Sequence, residues 1–260
     1  MLKILKYSFF DLIRSRWTYS YGGFYLLFTF SLLWLSSDLS KVAISLMNVV
    51  LLLCPLIATM FGVMYYYNSR EFTELLLAQP VRRTSIFLGQ YLGVAGSLSA
   101  SWVIGVGLPF TIYGVFGSAQ AGNFLMLLFT GIVLSFVFSA IALFIALKNE
   151  NRIKGFGLAI LAWLFFAVIY DGLLLLSLSL FSAYPLERFS LAASLLNPID
   201  LCRILILLKL DISALMGFTG AVFRKFLGTG LGMTVAFSML LLWVVLPVLG
   251  IRRLVGRKDF

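Results

Sequence analysis

The chain has 260 residues, 62% of them hydrophobic and only 12% charged, with a mean hydropathy of +1.05. Soluble domains carry about 25% charged residues, so a water-soluble enzyme or binding module is excluded and an all-α integral membrane protein in contact with the lipid bilayer is expected. The net charge of +10 would point to nucleic acid in a soluble protein, but here the cations gather in short segments between apolar runs, and no nucleic-acid partner is expected.

Residues 1–17 place Leu2, Leu5, Phe9, Leu12 and Ile13 at three- and four-residue steps with Lys3, Lys6, Asp11 and Arg14 between them. That pattern suits a helix lying in the membrane interface, although a plain extension of the first span fits the same residues. Apolar stretches near or above the roughly 20 residues that cross a bilayer follow at Trp17 to Leu35, Val42 to Tyr67, Ile86 to Phe116, Phe124 to Leu147, Gly155 to Phe181 and Leu227 to Ile251. Six transmembrane helices are the simplest reading, in a single domain over residues 1–260. The first span is short and glycine-interrupted, and no small-residue cleavage site follows it, so it is not read as a removable signal peptide.

Between the second and third spans, residues 68–85 read as a short cytoplasmic helix. Ser69 offers an N-cap, Glu71 and Glu74 complement the start of the helix dipole and Pro80 marks the stop. Its apolar side, Phe72 to Leu77, would rest on the bundle while Arg70, Glu71, Glu74, Arg82 and Arg83 face the cytoplasm. An ordinary solvated loop is the plainer alternative. The third span holds Gly89, Gly93, Gly96, Gly105, Gly107 and Pro109, so a broken or strongly tilted helix is expected, with Gly89 and Gly93 forming a small-residue face for close helix contact. The second polar loop, Lys148 to Lys154, offers another contact point or simply a charged hairpin that fixes topology.

Asp171, beside Tyr170, is the acidic residue within the fifth span, about 16 residues or roughly 24 Å from that span's cytoplasmic end. A carboxylate there costs a few kcal/mol unless paired or wetted, so it is a functional candidate, against the alternative of a hydrogen bond near the outer headgroups. Residues 182–226 then interrupt the membrane-like chain with an Asn197-Pro198-Ile199-Asp200-Leu201-Cys202-Arg203 turn and amphipathic flanks. They read as a helical extracytoplasmic insertion between spans five and six, with Asn197, Pro198, Asp200 and Arg203 as a rigid turn that docks a partner. An ordinary capped loop is the alternative.

Lys and Arg flank the first span on its N-terminal side, lie between spans two and three and between four and five, and follow the sixth, whereas the opposite short loops carry only Lys41. The positive-inside rule therefore puts both termini in the cytoplasm. The chain has two cysteines and no histidine, which removes the commonest general base and metal ligand. Cys54 lies within a span and Cys202 in the insertion, so a depth mismatch argues against a disulfide. Met60 and Met64 share a span with Cys54, and soft sulfur ligands suit Cu(I); apolar gap-filling is the stronger reading, and no metal site is assigned. No phosphate-binding loop, His-Glu-x-x-His or nucleophile elbow is present, so no catalytic residue is named and any ATP chemistry belongs to another chain.

The order of these elements resembles the membrane subunits of type-2 ABC exporters. Residues 163–171, from Trp163 through Tyr170 and Asp171, the Asn197 to Arg203 motif and the later Ser213 to Gly217, including Met216 and Gly217, are similar to the NosY family. Those permeases serve maturation of the copper-sulfur site of nitrous oxide reductase. The resemblance implies a non-enzymatic permease in the bacterial inner membrane that forms a homodimer. It binds no cofactor itself, and ATP and Mg sit at two separate cytoplasmic ATPase subunits. Further partners would be an extracytoplasmic parallel β-helix protein and a copper chaperone. It also implies that Arg70, Glu71, Glu74, Leu75, Gln79, Pro80, Arg82 and Arg83, with Asn149, Glu150, Asn151, Arg152 and Lys154, transmit ATPase closure to the spans. Trp163, Tyr170 and Asp171 would lie on a pathway or dimer interface, with Met216 and Gly217 joining the docking turn. The cargo would be a sulfur species or metal-related; an exporter of lipid, drug or peptide fits the cytoplasmic features equally well. A membrane scaffold or intramembrane enzyme is the reading of a different class.

Overall fold

The computed structural model describes residues 1–36, 38–118, 120–181, 187–210 and 225–257, and these form helices joined by short turns, with no strand among them. In chain order the helices are α1 (Leu2–Ile13), α2 (Arg16–Leu35), α3 (Leu39–Asn68), α4 (Arg70–Leu77), α5 (Arg83–Ile112), α6 (Ala121–Lys148), α7 (Arg152–Leu164), α8 (Tyr170–Leu180), α9 (Glu187–Leu195), α10 (Pro198–Lys209) and α11 (Gly230–Val255). A π turn at Phe165–Ile169 joins α7 to α8. Backbone groups have no water partner inside a bilayer, and helices satisfy them internally.

Among the described residues, five segments are long and apolar enough to cross a membrane: α3, α5, α6, the α7–α8 run and α11. The chain is a multi-pass membrane protein. The first expected span, Trp17 to Leu35, is α2, whose 20 residues rise about 30 Å but include several Tyr, Ser and Thr among the apolar ones. The third expected span is neither broken nor interrupted. α5 runs unbroken for 30 residues, with Pro109 in its last turn, so the N–H that proline lacks and the clash of its ring with the carbonyl four residues back leave little helix beyond them to bend.

α3, α5 and α6 pack as the centre of the bundle, and α10 completes the same apolar core. Trp102 of α5 is fully buried there, donating from Nε1 to the Leu128 carbonyl of α6 at 3.1 Å. Its indole lies over Gly131, where an added Cβ would collide with the ring. Tyr25 of α2 meets Trp102 edge-on at 4.7 Å between ring centres. The α7–α8 run and α11 form the outer wall: only 6% and 17% of their most apolar stretches are buried within the chain, against 56–61% for α3, α5 and α6.

The glycine pair expected to support helix contact is used, with α1 as its partner. Ile4 and Ser8 sit directly on Gly89 and Gly93. The inward row of α1 is therefore Ile4, Ser8 and Leu12, not the row starting at Leu2, which is exposed. The small residues of α5 decide which face of the amphipathic helix turns in.

The ends of the bundle differ in charge. α1 packs on the first half of α5, and Ile251 and Val255 near the end of α11 pack with Phe87 and Leu147. Both described chain ends thus lie beside α4 and the 148–152 loop, as do Arg14, Arg70, Arg82, Arg83, Lys148, Arg152, Arg252 and Arg253. This is the cationic end; the opposite end, near Leu35 and Ile112, is the distal end. Placing any side chain at Gly93 would push α1 off the bundle, since its Cβ would lie 2.5 Å from that of Ser8. Gly93→Leu is predicted to cost about 1–3 kcal/mol and to speed amide hydrogen exchange over residues 2–13 while exchange within α6 is unchanged.

Candidate functional site

The polar cluster inside the bundle starts from the π turn. Such a turn widens the helix by one residue and is frequent at functional positions. Trp163, just before it, donates from Nε1 to the Leu52 carbonyl at 3.2 Å and pins α7 to α3. Tyr170, just after it, donates its hydroxyl to the Ala193 carbonyl at 2.7 Å and pins α8 to α9. Within the turn, the Phe166 carbonyl accepts from Asn197 Nδ2 at 2.9 Å.

Asn197 is fully buried and serves two elements at once. Its Oδ1 accepts from the Ile199 N–H at 3.0 Å, capping α10, while its amide also donates to Asp200 Oδ2 at 2.9 Å. Pro198 occupies the first helical turn, where its missing N–H removes no hydrogen bond. Asp200 adds a negative charge near the positive end of the helix dipole. One turn on, Arg203 Nη1 donates to Asp171 Oδ2 of α8 at 2.6 Å and lies 3.1 Å from Asp200 Oδ1. The Asp200 contact has ion-pair distance without a hydrogen bond to that oxygen. Two carboxylates therefore share one guanidinium, with Asp200 buried and Asp171 and Arg203 about three-quarters covered.

This geometry corrects the picture of an exposed docking turn. Asn197, Pro198 and Asp200 are buried, and α10 inserts Ile199, Leu201, Cys202, Ile204 and Leu205 into the core. α9 and α10 meet at 110°. The Asn197 contact at Phe166 lies 14 residues into the 29-residue Arg152–Leu180 run, about 21 Å from the cationic end, whereas Lys209 closes α10 beside Gly122 at the distal end. The hairpin dips to mid-depth and returns. The sequence missed this because three polar residues in seven, together with a proline, outweighed the apolar ones, and their mutual pairing is invisible without the fold. Met216 and Gly217 lie outside the described residues.

The two cysteines are free, and both are buried in the same core, so they are not separated by depth as expected. Cys54 Sγ lies 3.2 Å from Ser135 Oγ and 3.3 Å from the Gly131 carbonyl, and Tyr21 donates to it at 3.5 Å. Met60 and Met64 instead line an apolar groove between α2 and α3. Among the described residues, no group of three His, Cys, Asp or Glu side chains could hold a metal.

At the cationic end, α4 is a rigid ledge. Its buried Thr73 accepts from Gln90 Nε2 of α5 at 2.7 Å and donates to the Ser69 carbonyl at 2.8 Å. Phe72 stacks on Tyr7 of α1 with ring centres 4.7 Å apart. The Ser69 hydroxyl donates back to the Tyr65 carbonyl and does not cap α4 as expected. Arg70, Glu71, Glu74, Leu75, Gln79, Pro80, Arg82 and Arg83 are all exposed, and Arg70 pairs with Glu74 at 3.1 Å. Tyr67, three residues earlier, donates to the carbonyls of Asn149 at 2.7 Å and Asn151 at 3.3 Å. Asn151 caps α7, and Arg152 lies over the Phe156 ring. The end of α3 thus braces both polar segments, leaving Glu150, Arg152 and Lys154 exposed. Tyr67, Thr73 and Gln90 escaped the sequence reading, although a glutamine inside an apolar span is a legible signal for a buried hydrogen bond.

No family model matches the chain. It is similar to two curated proteins described as probable ABC transporter permease protein NosY. The one from Pseudomonas aeruginosa is 26% identical over 223 residues, 80% of this chain and 81% of the relative. The one from Stutzerimonas stutzeri is 26% identical over 258 residues, 92% of this chain and 91% of the relative.

Removing Arg203 would leave two carboxylates facing each other. Arg203→Gln is predicted to destabilise the purified chain by about 3–5 kcal/mol, read as thermal unfolding in detergent, and adding Asp171→Asn to it is predicted to recover part of that loss.

Proposed function

We propose that this chain is the membrane-embedded permease of an ABC transporter, working with a separate cytoplasmic ATPase. The observation that carries the reading is the α4 ledge. A charged eight-residue helix stands at the cationic end, and its buried side is joined to α1 and α5 by Phe72 and Thr73. The neighbouring 148–152 loop is tied to α3 by Tyr67. A push on this surface reaches four spans without first bending a loop, and rigid displacement of packed helices is a known form of switching. The similarity to permeases over 80–92% of the chain supports the same assignment.

In this reading the cationic end is cytoplasmic, in keeping with the positive-inside rule, and α2 is a sixth span. Two copies of the chain assemble with two ATPase subunits, and the sparsely buried α7–α8 and α11 walls are the surfaces available for lipid or the second copy. Asp171, Tyr170 and Trp163 act where the π turn meets the hairpin. The Asp171–Arg203 pair holds the hairpin to α8 in one state and is free to exchange partners in the other. Distal-end residues of the insertion would receive a parallel β-helix partner, with a copper chaperone beyond it. The process served is assembly of the copper-sulfur site of nitrous oxide reductase, through export of a sulfur species or a metal-related cargo. The family resemblance is what favours this over export of lipid, drug or peptide.

Glu71→Lys and Glu74→Lys are predicted to leave the transporter assembled but to uncouple ATP hydrolysis from transport. Hydrolysis and cargo movement measured together in reconstituted vesicles test this, and unchanged coupling in both variants counts against the ledge. Deleting the chain is predicted to leave nitrous oxide reductase without its copper-sulfur centre; a fully assembled centre would reject that process while leaving the permease assignment in place.

A further inference from the structure

The centre where the hairpin meets α8 does not balance in charge. Asp171 Oδ2 and Asp200 Oδ1 lie against one and the same nitrogen, Arg203 Nη1, at 2.6 and 3.1 Å, so the two carboxyl groups are near neighbours. With both ionised, the three side chains carry one uncompensated negative charge at a depth where such a charge is strongly disfavoured. Two carboxyl groups confined to one site do not both ionise readily, and one of them keeps a proton.

The surroundings bring no second cation to the site. α10 packs against α3, α6, α9, α11 and the π turn. α6 has no titratable side chain before Lys148 and α11 none before Arg252, and both of those cations stand at the cationic end. α7 and the π turn have none between Lys154, at that same end, and Tyr170, whose hydroxyl donates to the Ala193 carbonyl. α3 brings the thiol of Cys54 into this core, whereas its Lys41 is at the distal end and Tyr65, Tyr66 and Tyr67 are at the cationic end. α9 starts with Glu187 and Arg188, at least about 10 Å of helix rise from its end at Leu195. On α10 itself, Lys209 closes the helix about 9 Å of rise beyond Arg203. Among the described residues, Arg203 is therefore the one cation that Asp171 and Asp200 share.

Hydrogen bonding shows which oxygen takes the proton. Arg203 Nη1 donates to Asp171 Oδ2, which marks Asp171 as the ionised partner. Asp200 Oδ2 accepts from Asn197 Nδ2, but Asp200 Oδ1 is buried and accepts no hydrogen bond. A buried carboxylate oxygen without a donor is costly, and an O–H at that position removes the cost. Asp200 is only 5% exposed, so bulk water does not reach it.

We propose that Asp200 binds a proton on Oδ1 while the hairpin is seated, and that release of this proton to water loosens the hairpin from α8. With the proton bound, one guanidinium faces one carboxylate and the centre is neutral. Without it, Asp200 competes with Asp171 for Arg203 and repels it, so the contact that ties α10 to α8 weakens. The hairpin is thereby a proton-linked element, whatever species the chain transports.

The test is the folding constant of the purified full-length chain in detergent, from denaturant titrations at pH 5.5, 6.5 and 7.5. An aspartate in the unfolded chain releases its proton near pH 4. A proton held only by the folded state therefore stabilises it fully below that pH, and the stabilisation is lost as pH rises toward the point where the folded state releases it. The chain has no histidine, so no side chain of ordinary acidity changes charge in this window. The folding constant of the unaltered chain is expected to fall by about tenfold between pH 5.5 and 7.5. Asp200→Asn, permanently neutral, should be flat across the window, and so should Asp171→Asn, which leaves one carboxylate for Arg203. Infrared spectra of the unaltered chain give a reading that needs no variant: a protonated-carboxyl band is expected at pH 6.5, giving way to carboxylate absorption as pH rises, and it should be missing from Asp200→Asn. A folding constant that is constant or rises with pH, an equal fall in Asp200→Asn, or no protonated-carboxyl band in the unaltered chain at pH 6.5 would each overturn the proposal.

Discussion

One guanidinium holds the polar centre of this protein together. Arg203 reaches from the re-entrant hairpin to Asp171 on the outer wall and lies against Asp200 on its own helix. In water such contacts contribute little, but within a bilayer each of these charges alone would cost several kcal/mol. Their joint presence makes it possible for a chain break to sit at mid-depth. Asn197 completes the arrangement by capping α10 and by binding the Phe166 carbonyl in the π turn.

That constraint explains why irregular backbone occurs where it does. Non-helical segments are tolerated at membrane depth only where protein covers them, and here α3, α6 and α11 pack against α10. The break in the hairpin and the break in the α7–α8 run face each other, so each supplies hydrogen-bond partners to the other. Two local defects become one satisfied polar centre. The same pairing makes the centre a natural place for motion, since an ion pair can exchange partners where a packed apolar seam cannot slide. The α4 ledge is separated from it along the bundle, and unbroken helices such as α3 and α5 connect the two levels.

Much of the fold was legible. Hydropathy marked the spans, the cation pattern marked one end, and the acidic residues and Pro80 bounded α4 within a residue or two. The glycines of α5 were read correctly as a contact face, yet their partner is α1, because spacing shows that a face is small but not what fills it. The polar turn at Asn197 was read in the wrong place. Composition treats Asn, Asp and Arg as signs of solvent, and it has no way to count the charge on Asp171, 32 residues away, as their counterpart. Asp171 itself was recognised, since a lone carboxylate in an apolar run demands a partner. Tyr67 went unnoticed because a tyrosine near the end of a span looks unremarkable until its acceptors are known, whereas Gln90, a glutamine within an apolar span, was a signal that was passed over.

The central claim is that the Asn197 to Arg203 turn lies inside the bundle, and the native thiol of Cys202 reports on it directly. Membranes containing the unaltered chain can be treated with a membrane-impermeant maleimide from either side, with Cys54, equally buried, as the internal control. The account predicts that neither cysteine is labelled in the folded protein and that both are labelled once it is denatured. Rapid labelling of Cys202 from the distal side in the folded protein, with Cys54 still protected, would place the turn at the surface and contradict it.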